Sequence, residues 1–78
     1  MQGKVEEYRK YACDAAIIKV MKARMTIEYT NLVTEAINLL RLKFNPDTQQ
    51  IKQRIEHLIE RGYIERDEND KRVFKYLA

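Results

Sequence analysis

Cysteine, proline, glycine and tryptophan are nearly missing from this chain of 78 residues, which has one Cys, one Pro, two Gly and no Trp. The lone Cys13 excludes an internal disulfide and a cysteine-rich zinc site. Two glycines cannot build a phosphate-cradling loop. The one histidine, His57, has no cysteine partner, so a metal site is not expected; beside Glu56 and Glu60 it reads as a solvated helix residue. Those two carboxylates are spaced i to i+4 on an exposed face, without the contrasting surroundings that separate two pKa values for acid–base work. No Ser or Cys nucleophile comes with a recognisable base. An enzyme is therefore not expected, nor a cofactor. No apolar run approaches the ~18 residues needed to cross a membrane, and a secretory signal is not expected at the start.

What the chain does hold is enough apolar content, 45%, for one globular domain rather than a disordered tail. A chain this short buries only about 60% of the surface its unfolded form exposes, so helix caps and turns matter to its folding. Fifteen basic against twelve acidic residues leave +3, interspersed along the sequence. That balance does not by itself call for nucleic acid.

The order of elements follows from periodicity. Met1 to Lys10 is polar, with Val5 and Tyr8 continuing a helical face loosely. One helix is expected through Asp14, bent there or not. Residues 1–14 read as a helical extension or linker and 15–78 as the domain proper. Met25-Thr26-Ile27-Glu28-Tyr29 breaks the helical pattern and suggests a very short strand. Thr30 or Asn31 can cap a second helix, whose buried face is Leu32, Val33, Ala36, Ile37, Leu40 and Phe44. Asn45-Pro46 ends it. Asp47 to Gln50 is a capping-box variant, with Asp47 expected to accept from Gln50 N–H while Gln50 reaches back. Ile51, Ile55, Leu58 and Ile59 line a third helix, and Gly62 suits a left-handed closing residue. Two β-prone runs around Asp67-Glu68-Asn69-Asp70 read as a hairpin. Helix, short strand, helix, helix, hairpin is the α+β winged-helix arrangement, a three-helix helix-turn-helix core with a C-terminal wing.

Within the first helix, the stretch Ala15 to Arg24 has the clearest organisation. At ~100° per residue, Cys13, Val20, Met21 and Arg24 fall within roughly 60° of Ile17, so Cys13 reads as a small core residue suited to a reducing compartment. Lys19 and Lys22 point about 140–160° away, on a face shared with Ala15 and Ala23. On periodicity alone they are the solvated side of an amphipathic helix.

A winged helix raises DNA binding, because its third helix often enters the major groove. The outward centre of that helix here is Gln53, Glu56, His57 and Glu60, with Lys52, Arg54 and Arg61 only flanking. Two carboxylates where phosphates would lie make a DNA partner disfavoured. Lys71, Arg72 and Lys75 on the wing could meet an acidic partner or simply protect an edge strand.

Ala15-Ala16-Ile17-Ile18-Lys19-Val20-Met21-Lys22-Ala23-Arg24 closely resembles the neddylation segment of the cullins, scaffolds of RING-type ubiquitin ligases. The resemblance continues through Phe44-Asn45-Pro46, Ile51 to Ile59 and Tyr63 to Asp67, and ends at Tyr76-Leu77-Ala78, which looks like the family's C-terminus. It implies a regulatory domain whose lysine at the position of Lys22 receives a ubiquitin-like modifier through an isopeptide bond. It implies as partners the ligase's RING subunit, the modifier and its conjugating enzyme, a deneddylating complex and a cullin exchange factor, in cytoplasm and nucleus. Arg24 and Met25 become candidate contacts for the conjugating enzyme or RING, and Lys19 a possible secondary acceptor. Met25 departs from the basic residue usual there, and Lys19 stands where arginine is common. The chain is expected to be a fragment of a longer protein. A free-standing DNA binder and an unmodified interaction module are the alternatives.

Overall fold

Helix-forming alanine, lysine, arginine and methionine dominate from Glu7 to Arg24, with neither glycine nor proline among them. In the computed structural model, which describes the backbone of residues 2–77 and the side chains of residues 7–77, they belong to helix α1, Gln2–Arg24. It runs through Asp14 without interruption. The expectations for the Val5 side chain, Met1 and Ala78 lie outside the described residues. Strand β1 (Thr26–Glu28) and helix α2 (Tyr29–Leu40) follow, then α3 (Thr48–Glu60), β2 (Ile64–Arg66) and β3 (Val73–Tyr76). This is the winged-helix order the periodicity predicts, with one addition. β1 pairs with β3 as well, so the sheet has three antiparallel strands in the order β1-β3-β2. Ile27 lies opposite Phe74, and Glu65 opposite Lys75.

The core is one apolar cluster fed by every element. Cys13, Ile17 and Met21, four residues apart on α1, are fully buried, as are Leu32 and Ala36 of α2. Ile51 and Ile55 of α3, Ile64 of β2 and Phe74 of β3 close the other sides. Among the described residues no polar or charged side chain is buried.

Several local expectations are corrected. Neither Thr30 nor Asn31 caps α2; Glu28 occupies the cap position and its side chain makes no capping bond. The N–H of Tyr29 instead donates to the carbonyl of Arg72 at 2.6 Å, so sheet pairing satisfies the helix start. The second helix stops at Leu40, before Asn45-Pro46, and a turn follows in which the amides of Lys43 and Phe44 both donate to the Leu40 carbonyl. Asp47 does cap α3, but through Gln49 N–H at 2.9 Å rather than Gln50. The Gln50 amide oxygen is turned toward Cys13 Sγ, 3.9 Å away. Gly62, at φ +81°, closes α3 as expected. Gly62 N–H donates to Ile59 and Tyr63 N–H to Leu58, the paired bonds of a Schellman motif.

Candidate functional site

Lys19 and Lys22 lie one turn apart, about 4.5 Å along the helix axis, near the C-terminal end of α1. Both are exposed, and so are Ala15 and Ala23, as the helical geometry predicts. Their backbone is held from beneath by buried Val20 and Met21. Among the described residues neither lysine makes an ion pair. Both line an open groove of about 540 Å³ between α1 and the end of α3, together with Ala15, Ile18, His57, Leu58 and Arg61. Tyr11, Asp14 and Tyr63 complete its lining.

Beside the groove, α1 and α3 are joined by an ion pair as well as by their apolar packing. Arg54 donates from Nε and Nη2 to the two oxygens of Asp14, each at 2.8 Å. The pair is largely shielded, with Arg54 and Asp14 side chains 18% and 27% exposed. The Asp14 hydrogen bond holds the guanidinium pKa above its ordinary value, against the opposing effect of burial. Asp14 also lines the groove, so the only carboxylate there among the described residues is already engaged. The motif at Gly62 then turns Tyr63 back beside Leu58 at the groove's end.

Arg24 does not behave as its angular position suggests. It falls on the buried side of the helical wheel, yet it is exposed, because the apolar layer ends at Met21. Its guanidinium instead reaches α2, donating from Nε to Glu35 at 3.2 Å and pairing through Nη2 at 3.0 Å. Met25 is exposed, with φ +66°. Its N–H donates to Met21 at 2.7 Å and its carbonyl accepts from Tyr76 N–H at 2.8 Å, an αL helix end with methionine where glycine is usual. Lys19, Lys22, Arg24 and Met25 thus lie at the C-terminal end of α1, with the lysines on the groove and Arg24 turned toward α2.

Two of the wing cations are held locally, Arg72 by Asp70 and Lys75 by Asp67, while Lys71 is exposed. On α3, Arg54 is committed to Asp14 and Glu56 to Arg66 of β2, while Gln53 and Glu60 face solvent. His57 is half-buried against the groove rather than fully solvated. Cys13 is buried beside Asp14, and its thiol pKa is pushed above the ordinary value, first by burial and then by that carboxylate. Its role is packing.

Sequence reasoning missed the Asp14–Arg54 and Arg24–Glu35 pairs and the groove itself. A signal existed for the first. Asp14 lies on the flank of a buried face, where a carboxylate needs a cation, and Arg54 occupies the matching flank of α3.

Comparison with known proteins adds a family. Residues 8–70 match the model of the cullin protein neddylation domain. Cullin-3 of Dictyostelium discoideum is 47% identical over 77 residues, covering 99% of this chain and 10% of that protein. Cullin-3 of Caenorhabditis elegans is 51% identical over 75 residues, 96% of this chain and 10% of that protein. Cullin-2 of Arabidopsis thaliana is 46% identical over 74 residues, 95% of this chain and again 10% of the relative. The chain thus spans about a tenth of the length of these relatives. A solved structure described as "A Dual E3 Mechanism for Rub1 Ligation to Cdc53: Dcn1(P)-Cdc53(WHB)" superimposes with a TM-score of 0.92 at 30% identity, over 99% of this chain and 88% of that one.

Proposed function

The chain belongs to the cullin family, through its neddylation domain, and on that premise we propose that Lys22 is the residue to which a ubiquitin-like modifier is joined. The register of the cullin resemblance singles out Lys22 over Lys19, and its placement supports the reading: exposed, without an ionic partner among the described residues, and mounted on a helix whose opposite face is packed. In the reaction, the neutral Nζ of Lys22 attacks the thioester carbonyl of the charged modifier. An isopeptide bond forms, the conjugating enzyme's thiolate leaves, and the amine gives up a proton. The attacking form is the neutral amine, so removal of its proton falls to the enzyme that brings the thioester.

In this reading the domain is a substrate and scaffold, and its own residues present the amine. Arg24, fixed by Glu35, and Met25, fixed by its two backbone bonds, form the firm edge beside the acceptor against which a conjugating enzyme or RING subunit would rest. Lys19, one turn earlier on the same groove, is the secondary acceptor. The neighbour structure supports a partner of the modifier pathway, since its description names Dcn1 with a Cdc53 domain in Rub1 ligation. A RING subunit, a deneddylating complex and an exchange factor are the further partners we propose for the longer protein. The third helix offers a DNA duplex few free cations, Lys52 and Arg61 among them.

The test is reconstitution of a ligase complex containing this domain with the charged conjugating enzyme, followed by mapping of the linkage by mass spectrometry. The expected linkage is on Lys22, and Lys22→Arg should abolish most conjugation while Lys19→Arg leaves it largely intact. Equal modification of Lys22→Arg and wild type would overturn the assignment.

A further inference from the structure

The groove between α1 and α3 has a composition that presenting an amine does not require. Its rim carries the cations Lys19, Lys22 and Arg61, with His57 beside them, while among the described residues its single carboxylate, Asp14, has both oxygens occupied by Arg54. Beneath them Ala15, Ile18 and Leu58 make an apolar floor. At the two ends stand aromatic rings open to solvent, Tyr11 at 76% exposure and Tyr63 at 40%. Arg61 lies 5.9 Å from the Tyr63 ring centroid, which keeps that guanidinium at the rim. Cations over an apolar floor, framed by aromatic rings, form a surface that binds a partner rather than one that only faces water.

We propose that this groove docks a peptide segment of a partner protein, acidic in sequence and carrying one large apolar anchor. The anchor lies on Ile18 and Leu58, and its flanking carboxylates meet Lys19, Lys22 and Arg61. Charge complementarity selects the acidic character, and the floor selects the anchor. A nucleic acid fits less well: its phosphates would gain nothing from the apolar floor, and Glu60 on the same helix faces solvent. The consequence for modification rests on the acceptor reading of Lys22. A segment seated here covers that amine, so docking and conjugation exclude one another.

The test uses the 78-residue chain and a fluorescein-labelled peptide of glutamates around a central phenylalanine, read by fluorescence anisotropy, with amide shifts mapping the contact. Binding should weaken about tenfold or more when the glutamates become glutamines, and again when the phenylalanine becomes glycine. The double variant Lys19→Gln with Arg61→Gln, both at exposed positions and checked for fold by circular dichroism, should weaken it comparably. Shifts should centre on Ile18, His57 and Tyr63. Absence of binding overturns the proposal, as do insensitivity to the central residue or to the double variant, shifts centred elsewhere, and duplex DNA binding as tightly as the peptide. Linkage mapping in the absence of peptide judges the acceptor reading alone, so either idea can fail without the other. If both hold, the peptide should slow conjugation to wild-type Lys22.

Discussion

Met25 carries a backbone conformation that costs an L-residue with a β-carbon about 1–2 kcal/mol, and its position leaves no escape from it. Both its N–H and its carbonyl are tied, to Met21 and Tyr76. Met25→Gly removes that strain and adds about 0.5–1 kcal/mol of unfolded-state entropy to be lost on folding, so a net gain of about 0.5–1 kcal/mol is expected. Thermal denaturation would show it as a rise of a few degrees in Tm. Gly62→Ala, at φ +81° with open space around the would-be β-carbon, should do the reverse by about 1 kcal/mol, through backbone conformation alone. On the wing, Asp67 is held below its ordinary pKa of 3.8, chiefly by the Asn69 N–H, and Asp70 likewise by the Arg72 N–H. A depressed carboxylate contributes stability above its unfolded pKa and loses it as pH falls through the folded value. The protection factors of the Asn69 and Arg72 amides, with the intrinsic acid slowing of exchange divided out, should therefore fall on acidification below about pH 4, before those of the core amides.

At the scale of elements, the relation between α1 and α3 depends on the Asp14–Arg54 pair as well as on apolar packing. Because both side chains are mostly shielded, removing one partner leaves a charge poorly solvated. Arg54→Leu should cost about 1–3 kcal/mol by urea denaturation, and Asp14→Asn a similar amount. The double variant should cost less than the sum, which a mutant cycle would report as coupling. The same pair shows where reading the sequence stopped. The stripe of Ile17, Val20 and Met21 was legible because a helical period is local, and so were Gly62 and the turn around Asn69. Asp14 and Arg54, on α1 and α3, meet only after the strand and the helix between those elements have folded. The start of α2 was misjudged for the same reason: the acceptor for Tyr29 N–H is Arg72, contributed by the far end of the chain. Lys22 was readable as an outward lysine from geometry, whereas its groove, and His57 and Tyr63 within it, required the tertiary fold.

Taken whole, the molecule commits each of its elements to one cluster, with Cys13 fully inside it. Its thiol pKa, raised by burial, keeps it protonated well past neutrality, so a thiol reagent should reach it only when the domain opens. Labelling rates measured against denaturant should track global unfolding; labelling at the rate of a free thiol in native buffer would contradict the packing described. Above the unfolded pKa of about 9, where the unfolded thiol ionises first, stability should decline as pH rises.

The strand completed last in sequence, β3, is the central strand of the sheet and the one that fixes Met25 at the end of α1. During synthesis, α1 with Lys22 leaves the ribosome early and can turn helical, but the bond from Tyr76 to Met25 cannot form until nearly all of this sequence has emerged. A chain released before Val73 would carry the lysine without the support at the end of its helix and with β1 and β2 lacking their shared partner. Presentation of Lys22 in its native setting thereby certifies that translation has passed β3; under the proposed acceptor role, a modifier would mark only chains read through to that point.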